Sequence, residues 1–233
     1  MKNVLVFTVA LLALASCHQI DGSGKIVTEK KQVENFEGVS AGNAIEVQVR
    51  IGSPASVEIE ADDNLMKLVE TNVSNGVLRV HLRNNYSISN GHVKAFVTVP
   101  QLNYVESTGA ANVDVLDEIK NAEKITLHAS GAAEINAKVD APYVKIESSG
   151  AATVKASGKT RDLDADASGG ANIHAEELLS ENAHAEASGA GNVHVYASVK
   201  LDAKASGAGN VLYKGGASVH ADESGAGNVK KEE

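Results

Sequence analysis

"SGAGNVHVYASVKLDAKASGAGN", residues 188–210, opens and closes on the same five letters. Its glycine content is that of a phosphate-cradling turn, so the first question is whether the pentamer binds something or shapes the chain. The intervening residues answer through their period. From Val193 to Ala205 every odd position is apolar, and the even ones carry His194, Tyr196, Ser198, Lys200, Asp202 and Lys204. A period of two is the mark of strands with one buried face. The pattern has no helical period, whereas a phosphate loop needs a helix after the turn to hold the anion.

The pentamer is one copy of many. It recurs in looser or tighter form at Thr108, Ser130, Ser149, Ser168, Ser188, Ser206 and Ser224, at spacings of 22, 19, 19, 20, 18 and 18 residues. A further loose copy, "SAGNAI", begins at Ser40. Strands and corners repeating every 18 to 22 residues predict an all-β fold, a parallel β-helix whose coils bury a continuous core only by stacking. Seven coils about 4.8 Å apart give a rod of roughly 35 Å. The corners are Ser130-Gly131, Ser149-Gly150, Ser168-Gly169, Ser188-Gly189, Ser206-Gly207 and Ser224-Gly225, with Asn192, Asn210 and Asn228 closing the last three. Their glycines supply positive φ, and their Ser and Asn side chains bond the corner backbone and the neighbouring coil. This is a structural repeat. A calcium β-roll is excluded, because its loops recur every nine residues and contain Asp. Inner positions before the corners are small (Ala165, Ala167, Ala185, Ala187, Ala203, Ala205), so the interior is thin, in keeping with 3% aromatics and no Trp.

The totals bound the partners. The formal charge of −9 becomes −10 once Lys2 is removed with a leader, and an acidic chain poor in aromatics is unsuited to nucleic acid. One cysteine allows neither an internal disulfide nor a multi-cysteine metal site. That cysteine ends "LASC", Leu14 to Cys17, after the apolar stretch Val4 to Leu14. The segment resembles a bacterial lipoprotein leader, residues 1–17, with Cys17 as the lipidated first mature residue and the membrane as a partner through that anchor. Residues 18–32 read as a flexible tether.

Residues 33–105 read as less regular coils of the same solenoid, and 106–233 as the regular ones. In the first part, "AIEVQVRI" and "ASVEIEA" alternate as strands. "DDNLMKLVET" reads as a helical turn or broad loop, and "NGVLRVHL" follows an Asn75-Gly76 turn. "FEGVSAGNAIEVQV", "DDNLMKLVE…NGVLRV" and "VTVPQLNYVESTGAANVDV", in that order and followed by SGA repeats, resemble the DUF2807 or head-GIN-domain family of bacteroidete envelope proteins. The resemblance spans about residues 33–229. It implies a right-handed parallel β-helix on a lipoprotein or exported protein, and an adhesin-type role without catalytic residues.

No cofactor, metal site or catalytic set follows from the residues. His174 and His194 share an offset after their corners, but Lys155, Leu212 and Lys230 fill the rest of that row, so no third ligand shares it. Asp164 and Asp166 lead outward rows in which acids mostly alternate with His or Lys, which relieves like-charge repulsion. The stretch His194, Tyr196 and Lys200, with Tyr213 on the next coil, is the candidate face for a glycan polymer or an envelope or host protein. The expected function is a non-enzymatic, lipid-anchored binding or adhesion module. The alternatives are a structural lipoprotein without a ligand and, on the acidic pairs, a polysaccharide-active enzyme. With only Asp21 acidic in "HQIDG", an outer-membrane anchor with the domain facing the periplasm is preferred to the cell surface. Oligomeric state is not set by the sequence.

Overall fold

The structure, a computed structural model, describes residues 18–232. It is all-β, 67% strand and 2% helix, and forms a solenoid of about seven turns, as the alternation and the repeat predict. Each regular coil contributes one strand leaving a glycine corner and one running into the next. The leaving strands stack in parallel as the leading sheet: residues 134–141, 153–160, 172–180 and 192–197, then Asn210–Lys214 and Asn228–Lys231. The returning sheet stacks Tyr104–Gly109, Lys124–Gly131, residues 143–148, 162–167, 182–187 and 200–205, then Ser218–Glu223.

The corner is a β-turn. Gly191 N–H donates to Ser188 O at 3.2 Å, Gly189 has φ +70°, and Ala190 stays at negative φ, which is the pattern of a type II′ turn. The turn also packs on itself along the rod. Ala190 N–H donates to Gly169 O at 2.6 Å, and a Cβ on Gly189 would lie 2.9 Å from that oxygen. Glycine is therefore demanded twice, by φ and by the coil beneath. A turn this tight narrows the wedge between the sheets, and only small side chains fit there. Ala165, Ala185 and Ala203 stack in one buried row, and Ala167, Ala187 and Ala205 in another. At the same neck the buried Ser107 and Ser148 hydroxyls reach carbonyl oxygens four residues on, at 2.9 and 3.2 Å. Farther from the corner the interior holds Val195, Leu163, Leu178 and Leu201, all buried. Asn192 Nδ2 donates to Asn172 Oδ1, and Asn210 Nδ2 to Asn192 Oδ1, each at 3.0 Å, forming a ladder up the outside.

One position departs from strict alternation. Val199 is 58% exposed, because it lies at the bend between the two strands of its coil and not within either buried face.

The first part of the chain is a cap whose spatial order differs from its sequence order. Gly38–Ala41 and Glu46–Ile51 form the coil directly beneath Tyr104–Gly109 and Asn112–Val115. Val77–Leu82 and Val93–Val99 then form the coil beneath that one. Antiparallel strands close the end. Val69–Ser74 pairs with Val77–Leu82 across Asn75 and Gly76, both at positive φ, and Ser56–Asp62 pairs with Val93–Val99. The helical turn is Asp63–Met66. The loose copy at Ser40 makes the first corner with Asn43 (φ 65°) in the left-handed position, and Gly109 packs on its backbone.

Residues 18–32 are not a free tether. His18–Ile20 pairs in parallel with Tyr86–Ile88, and Ile26–Lys31 covers the edge of Ser56–Asp62. Buried Asp62 fixes the segment by accepting from Gly24 N–H at 2.6 Å and His92 N–H at 2.7 Å. Cys17 and its leader lie outside the described residues.

Candidate functional site

The described interior is filled by side chains, so any ligand must meet the outer surface. The corners Ser130-Gly131, Ser149-Gly150, Ser168-Gly169, Ser188-Gly189, Ser206-Gly207 and Ser224-Gly225 form one ridge along the rod. In each corner the residue after the glycine donates its N–H to the glycine carbonyl of the coil beneath, as Ala190 does to Gly169 and Ala208 to Gly189, so those donors are engaged in stacking.

Of the four residues expected to share a ligand face, His194 and Tyr196 lie on the outer side of one strand, while Lys200 and Tyr213 fall elsewhere. His194 lies on the leading sheet beside His174. Tyr196 pairs with Leu179 and lines an open groove of about 560 Å³ with Pro142, Thr160, Arg161, Leu179 and Ser198. Lys200 is past the bend, on the returning sheet, in a shallow depression of about 340 Å³ with Tyr143, Asp162, Asp164 and His184. Tyr213 stacks over Val195, in the inward row, and packs half-buried against the core. It therefore drops out of the candidate face. Leu179, 54% exposed, takes its place beside Tyr196. The groove combines an aromatic plane, apolar contact and hydrogen-bonding groups.

On the returning sheet, Asp164, Asp166 and His184 bring one ligand atom each within 4.8 Å of one another. Tyr143 Oη donates to Asp164 Oδ2 at 3.1 Å. Here the acids do not alternate with bases throughout, since Glu147, Asp166 and Glu186 succeed one another in one row. Burial first, then the carboxylates of Asp164 and Glu186, push Asp166 above the usual aspartate range. Glu147 goes the other way, because a hydrogen bond from Lys145 outweighs its desolvation. A raised carboxyl beside an ionised one is acid–base chemistry in form. The depression here lacks the cleft that such chemistry needs around a sugar ring. Another open groove, of about 570 Å³, runs past Glu37, Gln101, Tyr104, Lys120 and Lys124. Burial and then Glu106 push the Tyr104 hydroxyl up to about 12, which keeps it a neutral donor.

The leading sheet gathers a third cluster. The His174 and His194 rings stack with centroids 5.0 Å apart at 25°. Their row continues to Lys155 on one side and to Leu212 and Lys230 on the other, as the repeat predicts. The row itself holds no third ligand type, but Glu176 approaches the pair from outside it. Register slips between Ala175 and Leu179 against the next coil, so residues 176–178 have no partner there; Leu178 stays buried while Glu176 turns toward the pair. The signal in the sequence is the 20-residue spacing from Ser168 to Ser188, two longer than the spacings that follow. Glu232, also outside the expected set, places Oε1 3.5 Å from His194 Nδ1.

A solid two-sheet rod with a stacked glycine ridge and open external grooves defines a parallel β-solenoid. Residues 35–217 match the family described as "Putative auto-transporter adhesin, head GIN domain" (DUF2807), and the chain belongs to that family. Among solved structures, the chain is similar to a putative adhesin from Bacteroides fragilis at 22% identity. That match has a TM-score of 0.85 and covers 91% of this chain and all of that one. A putative lipid binding protein from Parabacteroides distasonis is 15% identical with a TM-score of 0.76, over 93% of this chain and all of the other. A putative adhesin from Parabacteroides merdae is 20% identical with a TM-score of 0.74, over 92% and 99% of the two chains. At these identities the likeness shows the fold. No curated protein matches the sequence.

Proposed function

We propose that the chain is a non-enzymatic, lipid-anchored module of the cell envelope that binds an extended polymer or a partner protein along its outer surface. The observation that supports this is the combination of a filled interior with the open groove at Tyr196, Leu179 and Pro142. A filled rod offers a small molecule no enclosed pocket, whereas a long ligand collects many weak contacts along stacked coils. The family's description and the naming of two structural neighbours as adhesins agree with such a role. The lipobox at Cys17 supplies the anchor, with the domain facing the periplasm from the outer membrane.

Two experiments test the parts. Glycan arrays and envelope extracts are probed with the protein and with a Tyr196→Ala, Leu179→Ala double variant. The expected result is a retained polymer or protein whose binding the variant loses. Binding that persists undiminished in the variant removes this groove, and absence of any retained ligand favours a purely structural envelope role. For the anchor, Cys17→Ser should abolish fatty-acid labelling, and protease added to intact cells should spare the domain. Cleavage by that protease would place it on the cell surface instead.

A further inference from the structure

We propose that the leading sheet carries a binding site for a transition-metal dication of the zinc class, formed by His174, Glu176 and His194. The site goes beyond the adhesion reading and stands independently of it. One ligand atom from each residue falls within 4.8 Å of the others, and the two rings are already stacked. Zinc at bonds of about 2.1 Å in tetrahedral geometry needs donors roughly 3.4 Å apart. The contraction is small. The terminal torsions of imidazole and carboxylate are broad, so rotation closes the gap without moving the backbone.

Three local features favour a cation there. Glu176 Oε2 is buried without a hydrogen-bond partner, while Oε1 lies 3.7 Å from His174 Nδ1. An ionised oxygen left unpaired in this way is costly, and a metal bond would satisfy it. The Glu232 carboxylate, 3.5 Å from His194 Nδ1, adds a second negative charge beside the cluster without belonging to it. Lys155, the one cation next to His174 in the row, has its ammonium 2.7 Å from Glu134 and is thereby drawn away. Two imidazoles with a carboxylate suit zinc, nickel or copper better than calcium or magnesium, which prefer all-oxygen sets. His174 and Glu176 also line an open groove of about 430 Å³ with Asn136, Lys155 and Ser157, so a bound ion would remain reachable from solvent.

The test is titration of the purified full-length chain with Zn²⁺ by calorimetry and with Co²⁺ by visible absorption. Cys17→Ser in the background removes the thiol as a rival ligand. The expected result is about one equivalent bound, weakened roughly tenfold or more by His174→Lys or His194→Leu. Each of these substitutions installs the side chain that the adjoining coil carries in the same row, so the fold is retained. Glu176→Gln should weaken binding while keeping side-chain shape, and His184→Ala, in the returning-sheet cluster, should leave it unchanged. Absence of binding, binding that survives both leading-sheet histidine substitutions, or binding that follows His184 instead would overturn the site.

Discussion

At the scale of single residues, the corner glycines separate two costs that are usually confounded. Gly76 has φ +74° with nothing near its missing Cβ, whereas Gly150 has φ +75° and would place a Cβ 2.8 Å from Gly131 O. Gly76→Ala should therefore cost only the left-handed penalty, about 1 to 2 kcal/mol. Gly150→Ala adds an overpacking cost of about 1 to 3 kcal/mol on top. Urea midpoints read the difference, and equal losses would mean that stacking imposes nothing. Asp166 gives a test in pH. Its folded-state pKa is raised, so its protonation favours the fold below the ordinary aspartate value of 3.8, and that contribution is lost as pH rises through the folded value. Asp164 and Glu186 press on it, with His184 and Lys145 giving partial relief. Asp166→Asn should raise the thermal midpoint at neutral pH and lose that gain near pH 3, whereas a lower midpoint at neutral pH would contradict the sign. Much at this scale was legible in the sequence. Tyr213 lies three residues past Asn210, as Val195 lies three past Asn192, and alternation alone puts both inside. A phenolic hydroxyl suggests solvent, but register decides.

Among the elements, legibility divides by locality. Corners declare themselves by glycine and period, and each fixes the register of the strands beside it. Antiparallel cap strands carry no such label, because alternation in Ser56–Asp62 is the same whichever neighbour it meets and in whichever direction. The bulge at 176–178 shows only as a longer spacing, and its consequence for Glu176 needs the third dimension. Residues 18–32 are the clearest case. Polar and short, they have tether composition, yet Ile26–Lys31 covers the open edge of Ser56–Asp62 and Asp62 clamps Gly24 from beneath. Deleting residues 18–32 should bare that edge and leave Asp62 buried without one of its donors. The expected outcome is a lower thermal midpoint with self-association on size-exclusion chromatography. A monomer of unchanged stability would restore the tether reading.

For the whole molecule, the two sheets make a solid rod whose properties repeat while its chemistry does not. The period predicts the rod from the sequence because every coil obeys the same rule. The candidate sites were less legible because each arises where a coil breaks that rule: Glu176 lies within the bulge and Leu179 just after it, and Asp166 sits where acids fail to alternate. The stacking also has a mechanical side. Backbone hydrogen bonds between coils run along the rod, so a load drawn axially from the last described coil, against a hold at the cap, strains one ladder at a time. Asn228–Lys231, the last strand of the leading sheet, would part first, and Ser218–Glu223, exposed along its whole length, would follow. Coils would peel in succession, each 18-residue turn paying out roughly 60 Å of chain. Optical-trap records should show steps of that length, and a single all-at-once rupture would exclude it. A stiff rod under light load would become, under heavy load, a brake.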